Sequence, residues 1–275
     1  MEHAGAFIRQ HRLFCFYTLL VLLVVLVAIF APFLAPQDPL EGNMKNVLQT
    51  PSAEHLLGTD KLGRDTLSRI ICGTQVSLSM TICLVVLLAV VGLVVGILSG
   101  YFGGWVEMAL MRLADMMLAF PGVVLAIAIA GILGGSIVNT ILALLVVGWA
   151  KYARLVRSLV IKLRHNDFIL AAQVNGTRTR DILWRHVLPN ILPMVVITGA
   201  MDIGTMMMEI AGLSFLGFGA QPPTPEWGLM LNEGRQYIQT APWLMMYPGL
   251  AIFIVVAIFN LWGDSLRDVL DPRQK

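Results

Sequence analysis

Leu13-Phe-Cys-Phe-Tyr-Thr-Leu-Leu-Val-Leu-Leu-Val-Val-Leu-Val-Ala-Ile-Phe-Ala31 runs for nineteen residues without a charge. A helix crossing the hydrocarbon core of a bilayer needs about 20 such residues, whereas the apolar part of a signal peptide runs only about 7–15. The stretch therefore reads as a spanning helix. Working outward from it, further apolar segments lie at about 78–98, 108–133, 136–156, 190–212 and 243–263. The fourth span is the weakest, because its uninterrupted run is only Ile141 to Ala150. The reading is an all-α integral membrane protein of about six transmembrane helices, since in lipid a helix satisfies its own backbone.

Composition agrees. Of 275 residues, 57% are hydrophobic and 13% charged, with mean hydropathy +0.77, against roughly 25% charged in soluble domains. That excludes a soluble enzyme, an acidic or disordered tail and a disulfide-stapled secreted domain. A net charge of +2 is too balanced for binding nucleic acid. Cys15, Cys72 and Cys83 make no CxxC pair, and read as packing residues rather than a metal or redox site.

Positive charge sets the orientation. With six spans, the N-terminus, the 151–189 segment and the C-terminus share one side and hold thirteen Lys and Arg, against five (Lys45, Lys61, Arg64, Arg69, Arg235) on the other. Both termini are therefore expected in the cytoplasm of a cell whose plasma (inner) membrane holds the chain. The expected division is 1–12 cytoplasmic, 13–34 first helix, 35–77 extracytoplasmic, 78–267 core with a cytoplasmic loop at 151–189, and 268–275 cytoplasmic. The 35–77 segment and the 213–242 loop should face outward, with Glu54 and Glu226 accessible there. Gly92, Gly96 and Gly100 form a small-residue ridge that admits a neighbouring helix.

Two motifs stand out. Gly58-Thr-Asp-Lys-Leu-Gly-Arg-Asp65 has the outline of a phosphate loop, but Arg64 replaces the lysine and Asp65 the hydroxyl. With Gly58, Asp60 and Gly63, it reads as a turn before a helix bearing Leu67, Ile70 and Ile71 at helical spacing. The second is Phe168-Ile-Leu-Ala-Ala-Gln-Val-Asn-Gly176 followed by Ile182-Leu-Trp-Arg-His-Val-Leu-Pro189. It reads as two short helices joined at a tight bend, with Pro189 opening the next span.

This second segment resembles the EAA loop of ABC importer permeases at Ala171, Ala172, Gly176, Leu188 and Pro189, with Leu170 in place of the motif's glutamate and His186 in place of its isoleucine. Leu57 to Asp65, Met111-Arg-Leu-Ala-Asp115, Phe120-Pro121, Leu213 to Gly219, Pro225-Glu-Trp-Gly228, Phe259 to Asp268 and Asp271-Pro272 look like the dipeptide/oligopeptide/nickel branch. The resemblance implies a type I permease fold and no cofactor in this chain, with ATP and Mg held by others. It also implies four kinds of partner: a second permease, two cytoplasmic ABC ATPases on the 151–189 loop, an extracytoplasmic substrate-binding protein, and membrane lipid. Trp149 to Ile161 and Arg235-Gln-Tyr-Ile238 look nearer nickel permeases of the second-subunit type, so nickel, free or chelated, is the expected cargo and short peptides the alternative.

Ionisable groups inside a span are functional candidates. Arg112 and Asp115, three apart, are expected to pair locally. Asp202 falls near the midplane, and Glu209 is seven further along the same face; they line the pathway or contact the partner permease. Met201, Met206, Met207 and Met208 around them read as packing. None of His3, His11, His55, His165 and His186 lies in a span or at metal-ligand spacing, so no metal site is expected. An ion-coupled secondary transporter using Asp115, Asp202 or Glu209 is the remote alternative; a membrane enzyme lacks any catalytic constellation.

Overall fold

The computed structural model describes residues 11–270. The expectations for most of the N-terminal segment, for His3, and for Asp271-Pro272 and the last residues lie outside them.

The helices are α1 (Arg12–Leu34), α2 (Thr66–Phe102), α3 (Gly104–Leu118), α4 (Gly122–Leu133), α5 (Ile137–Arg164), α6 (Asp167–Val174), α7 (Thr179–Ile182), α8 (Leu188–Phe215), α9 (Trp227–Gly234) and α10 (Trp243–Leu270). Among the described residues there is no strand, only one isolated bridge, Thr59 to Asp65. Among the described residues, four helical runs are long and apolar enough to span: Arg12–Leu34, Thr66–Phe102, Thr179–Phe215 and Trp243–Val269. α3 and α4 make a fifth if taken as one span broken by a 91° bend. The sequence reading of six differs at two places. Residues 108–133 are not straight, because Pro121 cannot continue the ladder of α3. α5 extends to Arg164, well past residue 156, and its second half carries Lys151, Arg154, Arg157, Lys162 and Arg164, so it is long enough but not apolar enough.

α2 likewise begins at Thr66 rather than residue 78. Asp65 Oδ2 accepts from the Ser68 N–H (2.8 Å) and the Ser68 hydroxyl (2.7 Å), a cap that starts the helix. The 35–77 segment is thus a loop to residue 65 and helix beyond.

The described residues divide into two compact units, 11–83, 130–141 and 200–270 in one, and 84–129 and 142–199 in the other. In the first, Val21, Val24 and Ala28 of α1 share a buried cluster with Leu78, Met207, Ala211, Trp227, Met230, Ile252, Val255 and Phe259. The Trp262 indole donates to the Thr18 hydroxyl at 3.1 Å, linking α10 to α1. The Trp227 indole donates to the Ile70 carbonyl at 3.0 Å. In the second unit the glycine ridge of α2 meets α5. A Cβ on Gly96 would stand 2.5 Å from Val156 Cβ, and one on Gly92 would stand 2.2 Å from Tyr152 Cβ. No side chain fits there.

Candidate functional site

The 165–187 connection is built on α5 and projects two short helices. Arg164 ends α5 and donates to the Gly100 carbonyl at 3.2 Å. Only His165 and Asn166 separate it from α6. α6 closes in a Schellman motif, with Thr177 N–H to Ala172 O and Gly176 N–H to Gln173 O, both 3.0 Å. Gly176 holds φ +73° there, the left-handed region where a side chain is strained. Ile169 is fully buried, while Leu170 and Val174 stand out, Val174 with 87% of its surface exposed. Leu170 and Val174 are one turn apart and Ala171 is exposed beside them, so α6 presents a small apolar strip with no cover from its own chain. Phe168 and His186 pair ring to ring at 6.3 Å, tying the start of α6 to the far end of the connection.

The expectation that Pro189 opens a fresh span is corrected. The helix runs from Thr179 through a π turn, Leu183–Val187, directly into α8. The wider turn, closed by Leu188 N–H to Leu183 O, accommodates a proline that cannot donate to the carbonyl four residues back.

The charged candidates resolve differently from their spacing. Asp115 does not pair with Arg112; it accepts from Arg154 Nη2 of α5. Glu107 accepts from Arg157 Nε at 2.7 Å and from Arg157 Nη2. Arg112 is exposed and lines a groove of about 590 Å³ with Gly104, Glu107, Asp115, Arg154 and Arg157. On α8, Asp202 is buried and Glu209 half-buried. Met206 and Met207 are buried, while Met208 is exposed. Glu107, Arg154 and Arg157 had no signal beyond the three-residue spacing of the two arginines.

The turn motif is a buried ionic knot. Asp60 Oδ1 accepts from the Leu62 N–H (2.8 Å) and Arg64 N–H (3.0 Å), and Oδ2 from Arg64 Nε (2.6 Å). Gly63, φ +71°, leaves no room for a side chain, since a Cβ would lie 1.9 Å from the Asn43 carbonyl. Gly58, φ +74°, is pressed on the Gln49 carbonyl in the same way. Arg64 and Arg69, each 1% exposed, both reach Glu233 of α9, at 3.2 and 2.9 Å. His55 Nδ1 lies 3.1 Å from Asp65. Where a phosphate loop would aim a cation outward, Arg64 is aimed at a carboxylate of its own chain.

Glu226 is 1% exposed, which removes it as an accessible position. Its carboxylate caps α9, accepting from the Gly228 and Leu229 N–H groups at 2.8 Å each. Burial pushes the carboxyl above the ordinary glutamate range, against the pull of those two bonds. The folded chain then binds that proton more tightly than the unfolded one. Its contribution is full below about pH 4.3 and is lost as pH rises through the folded value. Glu226→Gln should therefore gain stability relative to wild type as pH increases from about 4.3; thermal unfolding in detergent at stepped pH reads this, and a pH-independent difference would refute it.

Residues 92–275 match the family described as binding-protein-dependent transport system inner membrane component. The chain belongs to that family. Residues 7–51 also match the N-terminal TM domain of oligopeptide transport permease C. The dipeptide transport system permease protein DppC of Alkalihalophilus pseudofirmus is 44% identical over 268 residues, 98% of this chain and 88% of its own. The nickel transport system permease protein NikC of Escherichia coli (strain K12) is 44% identical over 254 residues, 92% of each chain. The glutathione transport system permease protein GsiD of Shigella sonnei is 44% identical over 270 residues, 98% of this chain and 89% of its own. Among solved structures, the inward-facing MetNI methionine ABC transporter overlaps with TM-score 0.56 at 20% identity, over 74% of this chain and 96% of that one. The fold is that of a type I ABC importer permease, and this chain is such a permease subunit. The expectation that nickel is the favoured cargo is corrected, because a dipeptide, a nickel and a glutathione permease stand at the same 44%.

Proposed function

We propose that this chain forms half of a translocation pathway in a binding-protein-dependent importer, beside a second permease, and that two cytoplasmic ATPases supply the hydrolysis. The observation that carries it is the exposed apolar strip of Leu170, Ala171 and Val174 on a helix fixed by the Gly176 cap. ATP and Mg are held by the ATPases; their approach moves the docked α6, and the bundle alternates between openings. An extracytoplasmic binding protein delivers a short peptide or a nickel species, the relatives' names supporting each alike. Loops at 35–65 and 216–242 face it, and both termini and the 165–187 connection face the cytoplasm, as the charge asymmetry requires.

Orientation and docking are tested together in a background lacking the three native cysteines. Glu54→Cys and Gln239→Cys, both at exposed positions, should label with an impermeant thiol reagent in cells whose inner membrane is intact. Val174→Cys should label only after that membrane is opened, and bound ATPases should protect it. Labelling of Val174→Cys in intact cells overturns the orientation; labelling unchanged by ATPases overturns the dock.

A further inference from the structure

We infer that α3 is a jointed lever, tied to α5 by two ion pairs, that carries motion of the 165–187 connection into the bent span. This rests on the docking reading above. α3 lies between two breaks in the helical chain. Gly103 precedes it at φ +68° and Gly104, its first residue, holds φ +54°, and a Cβ on Gly104 would meet nothing within 4 Å. The 91° bend at Ala119–Pro121 follows it. Between these joints Ala114 is the buried residue of α3, so apolar packing does little to fix its position. The ion pairs do that. Glu107 and Asp115 are eight residues apart, about 12 Å along a helix, whereas Arg157 and Arg154 are three apart, about 4.5 Å. The two arginines therefore splay apart to reach α3, and contacts toward its opposite ends hold its direction as well as its distance.

α5 is in turn bound to the connection. Its last residue, Arg164, is separated from α6 by two residues of the chain, and its guanidinium donates to the Gly100 and Tyr101 carbonyls at the end of α2, beside the glycine joint. Displacement of α6 thus moves the end of α5, and the paired arginines move α3 about its glycine joint. Half-exposed ion pairs add little to stability. Their value here is positional: they can be broken without unfolding the chain, and replaced by any tie that preserves the register.

The test uses the whole complex in proteoliposomes. Arg154→Glu and Arg157→Glu should each leave ATPase co-purification and basal hydrolysis unchanged, while cutting stimulation by loaded binding protein and substrate uptake at least tenfold. Arg157→Gln should act in the same direction if reversal harms folding. The exchange E107R/R157E should restore uptake. In a cysteine-free background E107C/R157C should be inactive and regain uptake when bridged by a bifunctional thiol reagent long enough to span a Glu–Arg pair, because a covalent tie of that length does the ion pair's work. Wild-type coupling in the single variants, or no recovery in either double variant despite normal assembly, overturns the lever. Failure of the wild-type chain to hold ATPases overturns the docking reading, and the lever with it.

Discussion

Gly176→Val should strip the ATPases from the complex while leaving the chain in the membrane. Gly176 sits at φ +73° with both Schellman bonds formed around it. A side chain in that region costs roughly 1–2 kcal/mol, and a β-branched one is a genuine outlier there. Nothing stands within 4 Å of the position, so the penalty is conformational and not a clash. Strain of this size shifts the connection between its docked and undocked forms by about 5–30-fold. The order of damage should be Asn, then Ala, then Val, because Asn is the side chain that best tolerates the left-handed cap. ATPase co-purification and uptake measured across the three variants check the ranking. Normal co-purification with Val would remove the cap from the mechanism.

Glu233→Ala should destabilise the chain strongly. It takes a carboxylate from two guanidiniums that are each 1% exposed. Breaking a buried pair from one side costs about 3–5 kcal/mol, because the remaining charge is uncompensated. Asp60 still faces both arginines, which places the loss toward the lower figure. The thermal midpoint in detergent should fall by on the order of 10 °C. Lys61 reaches the same carboxylate from a more open position, with 36% of its side chain exposed, and Lys61→Ala should change little. Equal midpoints for Glu233→Ala and wild type would show that the knot carries no net stability.

Much of the fold was legible because hydrocarbon thickness constrains sequence so strongly. The 13–31 run, the glycine ridge and the bend at Gly176 each follow from one local rule, and each has its counterpart in the structure. The parts that were not legible depend on partners distant in sequence. The spacing of Arg112 and Asp115 satisfies the rule for a local pair, yet Asp115 turns to Arg154, 39 residues on. Pro121 was visible inside an apolar run, but a proline fixes the possibility of a bend and not its angle. The cap on Glu226 was hidden for the same reason: a glutamate amid prolines reads as surface until Ser77, 149 residues away, is placed against it. Cargo selectivity left no legible pattern, since the stretches that look nickel-like belong to a chain equally close to a dipeptide permease.

The ionic knot also imposes a timetable on synthesis. Arg69 and Glu233 are 164 residues apart, and a ribosome covers that distance in roughly 8–33 s at 5–20 residues per second. Throughout that interval Arg64 and Arg69 have left the ribosome with Asp60 as their nearby counter-ion, and the turn at 58–65 is an unfinished surface. Only when α9 emerges does the loop acquire its second carboxylate. A nascent chain stalled before residue 233 would thus carry inserted helices beneath an open cap, the form a membrane protease is best placed to remove.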